Sequence, residues 1–218
     1  MEFSVSDHTL LVFVDDTGHE ALVPGHPVYG LGGCAVIAGD LERVIRHPWH
    51  EVRRKVRGSA DTPLHAASLG HPPRQEDIEA VAGFFRTQPF ARIGATISTR
   101  ATRDDAISAL GTIAGVLKQQ IVSIAKWFPF TEVSVIFEAS GRADALIEDA
   151  FGDFSLNEGG RPIPIECFFM PKAVGDPALE AADFVMHAVD RQARRKLDGR
   201  GDSRRITRPC FTTRIRSA

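Results

Sequence analysis

The chain has 218 residues, of which 43% are hydrophobic and 25% charged, and its formal net charge is −2. This composition is typical of a globular protein with one sizeable core, and no apolar run reaches the roughly 18 residues that a membrane-spanning helix needs. Three widely spaced cysteines, Cys34, Cys167 and Cys210, argue against a disulfide framework or a zinc site, and the N-terminal residues lack the pattern of a signal peptide. We therefore expect a cytoplasmic protein.

The first predicted elements are a pair of strands. Residues 10–14 form a β-branched and aromatic run, which predicts a buried strand that ends in a turn at residues 15–18. Residues 28–38 form a second, glycine-rich apolar run. The link between the two runs is short and contains proline and glycine, which favours an antiparallel pair.

Two helices and a third strand follow. Asp40 is predicted to cap a helix over residues 41–57, which Pro48 would divide into two pieces. After a loop rich in proline and glycine, residues 74–86 have helical apolar spacing. Residues 90–99 then alternate in the manner of a strand.

The next segment predicts the longest helix and a fourth strand. Residues 104–127 carry a single apolar stripe at 3.6-residue spacing, which is typical of a helix that packs on a core. Residues 132–137 predict a strand that ends at Glu138. Gly141 is predicted to open the helix that follows and runs through Ala150.

A fifth strand and a last helix complete the domain. Residues 163–170 predict the strand, and the helix begins after Asp176 with Pro177 in its first position and runs to about Leu197. Two early antiparallel strands followed by alternating strands and helices predict an α/β fold. We expect one mixed five-stranded sheet flanked by helices.

The C-terminal segment reverses the charge of the chain. Residues 191–218 carry ten Lys or Arg against two Asp, a balance of +8, whereas the rest of the chain has a balance of −10. Such a segment is typical of contact with a polyanion, and it is equally compatible with a solvated tail that keeps the protein in solution. We divide the chain into a domain over residues 1–198 and a basic tail over residues 199–218.

Three acidic residues occupy informative positions. Asp15 is predicted to end the first strand, Glu138 to end the fourth, and Asp183 to lie beside the apolar face of the last helix. Carboxylates that converge from separate elements repel one another unless a divalent cation neutralises them. Mg²⁺ and Mn²⁺ prefer oxygen ligands, and a pair of such ions can bind both the attacking water and the leaving oxygen of a phosphodiester.

Four short motifs, in this order, carry a family resemblance over residues 8–195. They are Phe13-Val14-Asp15-Asp16-Thr17-Gly18, Tyr29-Gly30-Leu31-Gly32-Gly33, Leu64-His65-Ala66-Ala67-Ser68-Leu69 and Leu179-Glu180-Ala181-Ala182-Asp183-Phe184. The set resembles the domain of unknown function 3800 family. The resemblance implies an RNase H-like fold and a divalent-metal-dependent nuclease.

The resemblance also implies the site residues, with some departures. Asp15 matches the aspartate of the first motif, while Asp16 stands where that family has glutamate and Glu180 where it has glutamine. Glu138 matches a strand-end acid without a distinctive motif. The expected metal ligands, for Mg²⁺ or Mn²⁺, are Asp15, Asp16, Glu138, Glu180 and Asp183. The expected catalytic residues are Asp15, Glu138, Asp183 and His65, the last as a proton carrier or phosphate contact.

Each of these residues also has a structural interpretation. Residues 15–18 are compatible with a simple turn, Glu138 with a charge that favours the next helix, and Glu180 with a surface position. His65 is compatible with loop packing, and His19 is a weaker candidate near the first motif. The pair His47 and His50 has loose metal-like spacing but more closely fits a helix end. The glycines of residues 30–33 lack the context of a dinucleotide loop and more simply allow close approach to the strand.

Three functional hypotheses remain open at this point. The first is a metal-dependent phosphodiester hydrolase whose basic tail holds nucleic acid through its phosphates. The second is a catalytically silent RNase H-like module that binds protein or nucleic acid. The third is a glycosidase-type hydrolase with a pair of carboxylates and no metal, although the single Tyr and two Trp make a sugar-stacking cleft less favourable.

Overall fold

The computed structural model describes residues 5–19, 22, 25–70, 72–98, 106–125, 128–158 and 160–199. The strands in chain order are Thr9–Gly18 (β1), Val28–Ile37 (β2), Ala91–Ser98 (β3), Glu132–Ala139 (β4), Leu156–Glu158 (β5), Arg161–Ile163 (β6) and Ile165–Pro171 (β7). The α-helices are His47–Arg57 (α1), Gln75–Thr87 (α2), Ala106–Ala125 (α3), Asp144–Gly152 (α4) and Pro177–Leu197 (α5).

Five strands form one mixed sheet in the order β3-β2-β1-β4-β7. The pairs β1–β2 and β2–β3 are antiparallel, and the pairs β1–β4 and β4–β7 are parallel. An antiparallel meander extended by two parallel strands next to β1 is the arrangement of the RNase H-like fold. The predicted α/β class, the mixed five-stranded sheet and the flanking helices are confirmed.

Helices cover the sheet on both faces, because β1 alternates apolar side chains between two cores. Leu10, Val12 and Val14 pack in a cluster with α3 and α4. Leu11 and Phe13 pack in a second cluster with α1, α2 and α5. Successive side chains of a strand point to opposite faces, so this alternation defines which face any later residue of β1 joins.

Glycine at position 32 lets α5 lie close to the sheet. A Cβ atom there would come within 2.4 Å of Gly94 Cα, 2.5 Å of the Ile93 carbonyl oxygen and 2.8 Å of Met186 Sδ. These distances are shorter than van der Waals contact, so a larger residue forces the neighbouring strand or α5 to move. The prediction that the glycine-rich strand lets another element approach its backbone is confirmed, and that element is α5.

The N-terminal half departs from the predictions at the ends of its elements. β1 continues through the expected turn to Gly18, since Asp15 to Gly18 pair with residues of β2. Asp40 does not cap a helix, because it ends a short 3₁₀ turn and its carboxylate binds Arg43 instead. The predicted division near Pro48 is present, as a π-helical turn at Glu42–Arg46 followed by α1.

The C-terminal half shows an extra hairpin and a later helix start. β5 and β6 pair before β7, so the predicted fifth strand is divided, with Ile163 in the hairpin. α4 begins at Asp144 and not at Gly141, because the Asp144 carboxylate accepts hydrogen bonds from the backbone N–H groups of Ser140 and Gly141. The predicted cap of α5 is confirmed, since Asp176 Oδ1 accepts from the N–H of Ala178 at 2.8 Å.

The remaining predictions concern cysteines, membrane spans and the tail. Cys34 and Cys167 are unpaired and lie in β2 and β7, while Cys210 lies outside the described residues. In the part of the chain that the structure describes, no helix combines the length and apolarity of a membrane span. Residues 200–218, which make up most of the predicted basic tail, also lie outside the described residues.

Candidate functional site

The sheet brings Asp15 and Glu138 to one place. β1 and β4 are adjacent parallel strands in which Val14 pairs with Phe137, and the two acids are the next residue of each strand. Val14 and Phe137 both belong to the α3–α4 core. Alternation therefore points Asp15 and Glu138 to the opposite face, which is the face that α5 covers.

Asp183 reaches the same face from α5. Its Oδ2 accepts a hydrogen bond from the backbone N–H of Ala66 at 2.8 Å. The same oxygen lies 3.7 Å from Nδ1 of His65, an atom without a hydrogen-bond partner among the described residues. Asp183 thus connects the last helix to the segment that carries His65, and it places that histidine at the edge of the acidic cluster.

The pKa of Asp15 reflects the negative charges of both Glu138 and Asp183. Burial raises the pKa of Asp15, and the negative charges of Asp183 and Glu138 raise it further, to about 8. The N–H of Asp16 donates to Asp15 Oδ1 at 2.9 Å and opposes this shift. A buried carboxyl beside two others favours its protonated form unless a cation is present.

Lys172 supplies a cation to this cluster. Its Nζ lies 2.8 Å from Oε2 of Glu138, and it follows β7 directly, beside the end of β4. Burial lowers the pKa of Lys172, but its hydrogen bond to Glu138 and the charges of Glu138, Asp15 and Asp183 outweigh that effect, so the pKa is raised. The ammonium group therefore lies in the field of all three acids.

Asp16 faces away from the cluster, contrary to its predicted role as a metal ligand. Because β1 continues to Gly18, strand alternation sends Asp16 to the face opposite Asp15. There its Oδ2 lies 3.3 Å from Nη2 of Arg142, a residue of the turn between β4 and α4. The sequence predicted a turn at this point, and a turn would have left the direction of Asp16 open.

Glu180 also has a different role from the predicted one. Its side chain is 3% exposed and pairs with Arg53, with oxygen–nitrogen distances of 2.7 and 2.9 Å. Trp49 Nε1 donates to the same carboxylate at 2.8 Å. Both oxygens are therefore engaged toward α1, and Glu180 is a structural ion-pair partner and not a ligand at the cluster.

The other histidine candidates make contacts outside the acidic cluster. His47 is an exposed partner of Glu42, and Nδ1 of His50 lies 3.1 Å from the carbonyl oxygen of Ala60. The two rings thus have separate surroundings, which removes the weak zinc interpretation. The ring of His19 lies 6.3 Å from that of His26, beyond the end of β1.

The donor set fits a hard divalent cation in its chemistry. Across the described ranges, no three His, Cys, Asp or Glu side chains form a compact metal-binding group. Asp15, Glu138 and Asp183 nevertheless present carboxylate oxygens from three elements, and such oxygens are the ligands that Mg²⁺ and Mn²⁺ prefer. The raised pKa of Asp15 shows that positive charge is favoured among them.

A cavity lies on the same face of the sheet as the cluster, toward the start of β1 and β4. A cavity of about 300 Å³ is lined by Leu11, Phe13, Ile136 and Met170, among others. Phe13 and Ile136 lie two residues before Asp15 and Glu138, which is roughly 7 Å along a strand. Asp15, Glu138 and Asp183 are not among the residues that line this cavity, so it shares a face of the sheet with the cluster without containing it.

Sequence reasoning missed the two basic residues of this region. Lys172 and Arg142 follow β7 and β4, and each pairs with an acidic residue of the predicted set. A signal for Lys172 was present, because the ends of neighbouring parallel strands meet at one edge and Lys172 comes directly after such a strand. The role of the Ala66 N–H had no signal, since a backbone amide is the same in every residue.

Comparison with known proteins leaves the family open. No family model matches the chain, and no curated protein matches it. A chain of the solved structure described as the PCNA:RNase HII complex from Archaeoglobus fulgidus is similar, with 14% identity and a TM-score of 0.42. The match covers 88% of this chain and 79% of that one. At this level of similarity it assigns no activity, and the resemblance to the domain of unknown function 3800 family stays a prediction from the sequence.

Proposed function

We propose that the protein is a divalent-metal-dependent phosphodiester hydrolase that acts on nucleic acid. One observation carries the proposal: Asp15, a buried carboxyl, lies in the field of Glu138 and Asp183, which reach the same face of the sheet from β4 and α5. Lys172 compensates only part of the charge of this cluster. A cation that binds among the carboxylates would relieve the remaining repulsion.

Each residue of the cluster has a distinct task in this proposal. Asp15, Glu138 and Asp183 would hold Mg²⁺ or Mn²⁺, which supplies Lewis-acid stabilisation and lowers the pKa of a bound water. Asp183 also orients the His65 segment through the Ala66 N–H. His65, whose Nδ1 lies 3.7 Å from Asp183 and lacks a hydrogen-bond partner in the described part of the chain, would carry a proton to or from the reacting oxygen.

A silent binding module is the second candidate, and the basic residues favour it. Lys172 neutralises Glu138 and Arg142 neutralises Asp16, so the acidic region is partly compensated without any metal. A protein that had lost catalysis would keep the fold with such internal counter-ions. The two functions differ in whether Mn²⁺ binds to the folded state.

Melting curves with Mn²⁺ distinguish the two. We expect the wild-type melting temperature to rise with millimolar Mn²⁺, because a ligand at 100 times its Kd adds about 2.7 kcal/mol to stability. Asp183→Asn should lose that rise and the nuclease activity, yet remain folded, since the amide oxygen of Asn can still accept from the Ala66 N–H. A wild type that shows neither a Mn²⁺-dependent shift nor cleavage of DNA or RNA would leave the silent module as the better description.

The basic C-terminal segment leads to a prediction about affinity. Of the +8 balance of residues 191–218, residues 200–218 carry six Arg and one Asp, or +5, so truncation after residue 199 should weaken nucleic-acid binding and flatten its dependence on salt. The measurement is fluorescence anisotropy of labelled DNA and RNA at several salt concentrations. An unchanged affinity together with an unchanged salt slope would show that the tail does not contact phosphates.

A further inference from the structure

Lys172 lies on the solvent side of the acidic cluster, where its positive charge offsets the negative charge of Glu138. Lys172 pairs with Glu138 at 2.8 Å, while 57% of its own side chain is exposed and only 16% of that of Glu138. The carboxylate is thus held by the sheet, whereas the ammonium group reaches it from the solvent side. Of the two partners, Lys172 is the one that can leave without rearranging the sheet.

The backbone beneath Lys172 is firmly anchored. Lys172 begins a 3₁₀ turn, and its carbonyl oxygen accepts from the N–H of Gly175, which has a left-handed conformation with φ of 62°. Arg53 Nη2 donates to the Gly175 carbonyl oxygen at 2.6 Å, and Arg46 Nη2 binds Asp176 at 2.7 Å. These contacts fix the turn, so the flexible part is the lysine side chain alone.

A divalent cation bound to Glu138 would repel the ammonium group of Lys172, so metal binding would weaken the Lys172–Glu138 pair. The ammonium group displaced from Glu138 would stay on the solvent side of the carboxylates, because 57% of the Lys172 side chain is exposed. That is also where a phosphate bound to the cluster would carry its negative charge. A lysine is suited to this position, since it binds phosphate as a mobile point charge.

We propose that Lys172 is an exchangeable counter-ion, which pairs with Glu138 in the metal-free protein and contacts the substrate phosphate once metal is bound. The proposal rests on the phosphodiester hydrolase function above. It assigns to one residue two opposite effects: Lys172 opposes metal binding and favours nucleic-acid binding. A residue that merely stabilised the turn would not separate these two effects.

Two measurements on Lys172→Gln test the exchange. The first is Mn²⁺ affinity by calorimetry without nucleic acid, which we expect to become roughly three- to tenfold tighter because the competing charge is gone. The second is binding of a short phosphorothioate duplex, which resists cleavage, in the presence of saturating Mn²⁺. This affinity should fall about tenfold, as for a lost phosphate contact that involves a charged group.

Two further variants serve as controls. Lys172→Arg keeps the charge and should retain most of the duplex affinity. Lys118→Gln removes another lysine–carboxylate pair, that with Asp153 on a different part of the surface, and should change neither affinity. Unchanged or weaker Mn²⁺ binding by Lys172→Gln, or unchanged duplex binding, would overturn the exchange while leaving the hydrolase function intact. Absence of Mn²⁺ binding by the wild type itself would overturn both.

Discussion

Asp15→Asn is expected to stabilise the metal-free protein strongly in alkaline solution and to have little effect in acid. The pKa of Asp15 is raised from 3.8 to about 8, first by burial and then by Asp183 and Glu138. The folded state therefore binds this proton more tightly than the unfolded state does. The resulting stability is present in full below the unfolded pKa of 3.8 and is lost as the pH rises through about 8.

The size of this effect follows from the shift. One pKa unit corresponds to 1.36 kcal/mol, so the wild type should lose on the order of 5 kcal/mol of stability from this group across that pH range. Urea denaturation of wild type and Asp15→Asn at several pH values measures the difference. Parallel stability curves for the two proteins would show that Asp15 has the same pKa in the folded and unfolded states and is not coupled to its neighbours.

Binding of a divalent metal ion should displace the proton from Asp15. Because a carboxylate must be ionised to bind Mn²⁺, binding near pH 7 should release close to one proton from the wild type. Calorimetry in two buffers with different enthalpies of ionisation counts that proton. A proton-neutral binding reaction would place the metal elsewhere on the protein.

Glu180→Ala is expected to cost about 3–5 kcal/mol of stability, because it leaves a buried arginine without its counter-ion. Arg53 and Glu180 are 4% and 3% exposed, and Trp49 also loses the acceptor for its Nε1–H. Urea denaturation provides the measurement. Glu42→Ala is the matched control, since the pair of Glu42 with Arg46 is exposed and its loss should cost less than about 1 kcal/mol.

The milder variant Glu180→Gln separates the structural role from a metal-binding one. It keeps an acceptor for Trp49 and Arg53 while removing the negative charge. We expect it to be less stable than wild type but to keep the full Mn²⁺-induced rise in melting temperature. A stable Glu180→Gln protein that no longer responds to Mn²⁺ would instead support the ligand role predicted from the sequence.

Local chemistry explains what the sequence could determine by itself. The apolar stripe of α3 and the Asp176-Pro177 start of α5 depend on neighbours within about four residues, so periodicity and capping preferences were sufficient. The apolar run of β1 was recognisable for the same reason. The order of strands and helices predicted the mixed sheet, and their positions in these elements made Asp15, Glu138 and Asp183 candidates. These signals identify elements and residue types, and they do not specify partners.

Tertiary structure alone decided which way the remaining charged residues face and what they contact. The side chain of Asp16 lies on the face opposite Asp15 because pairing with β2 extends β1 past the expected turn. In a strand, successive side chains point to opposite faces of the sheet. Glu180 forms an ion pair with Arg53, 127 residues earlier in the chain. Lys172, which follows β7, forms an ion pair with Glu138 of the neighbouring strand β4. Strand register and helix packing determine such contacts, so they cannot be predicted from the spacing of residues along the chain.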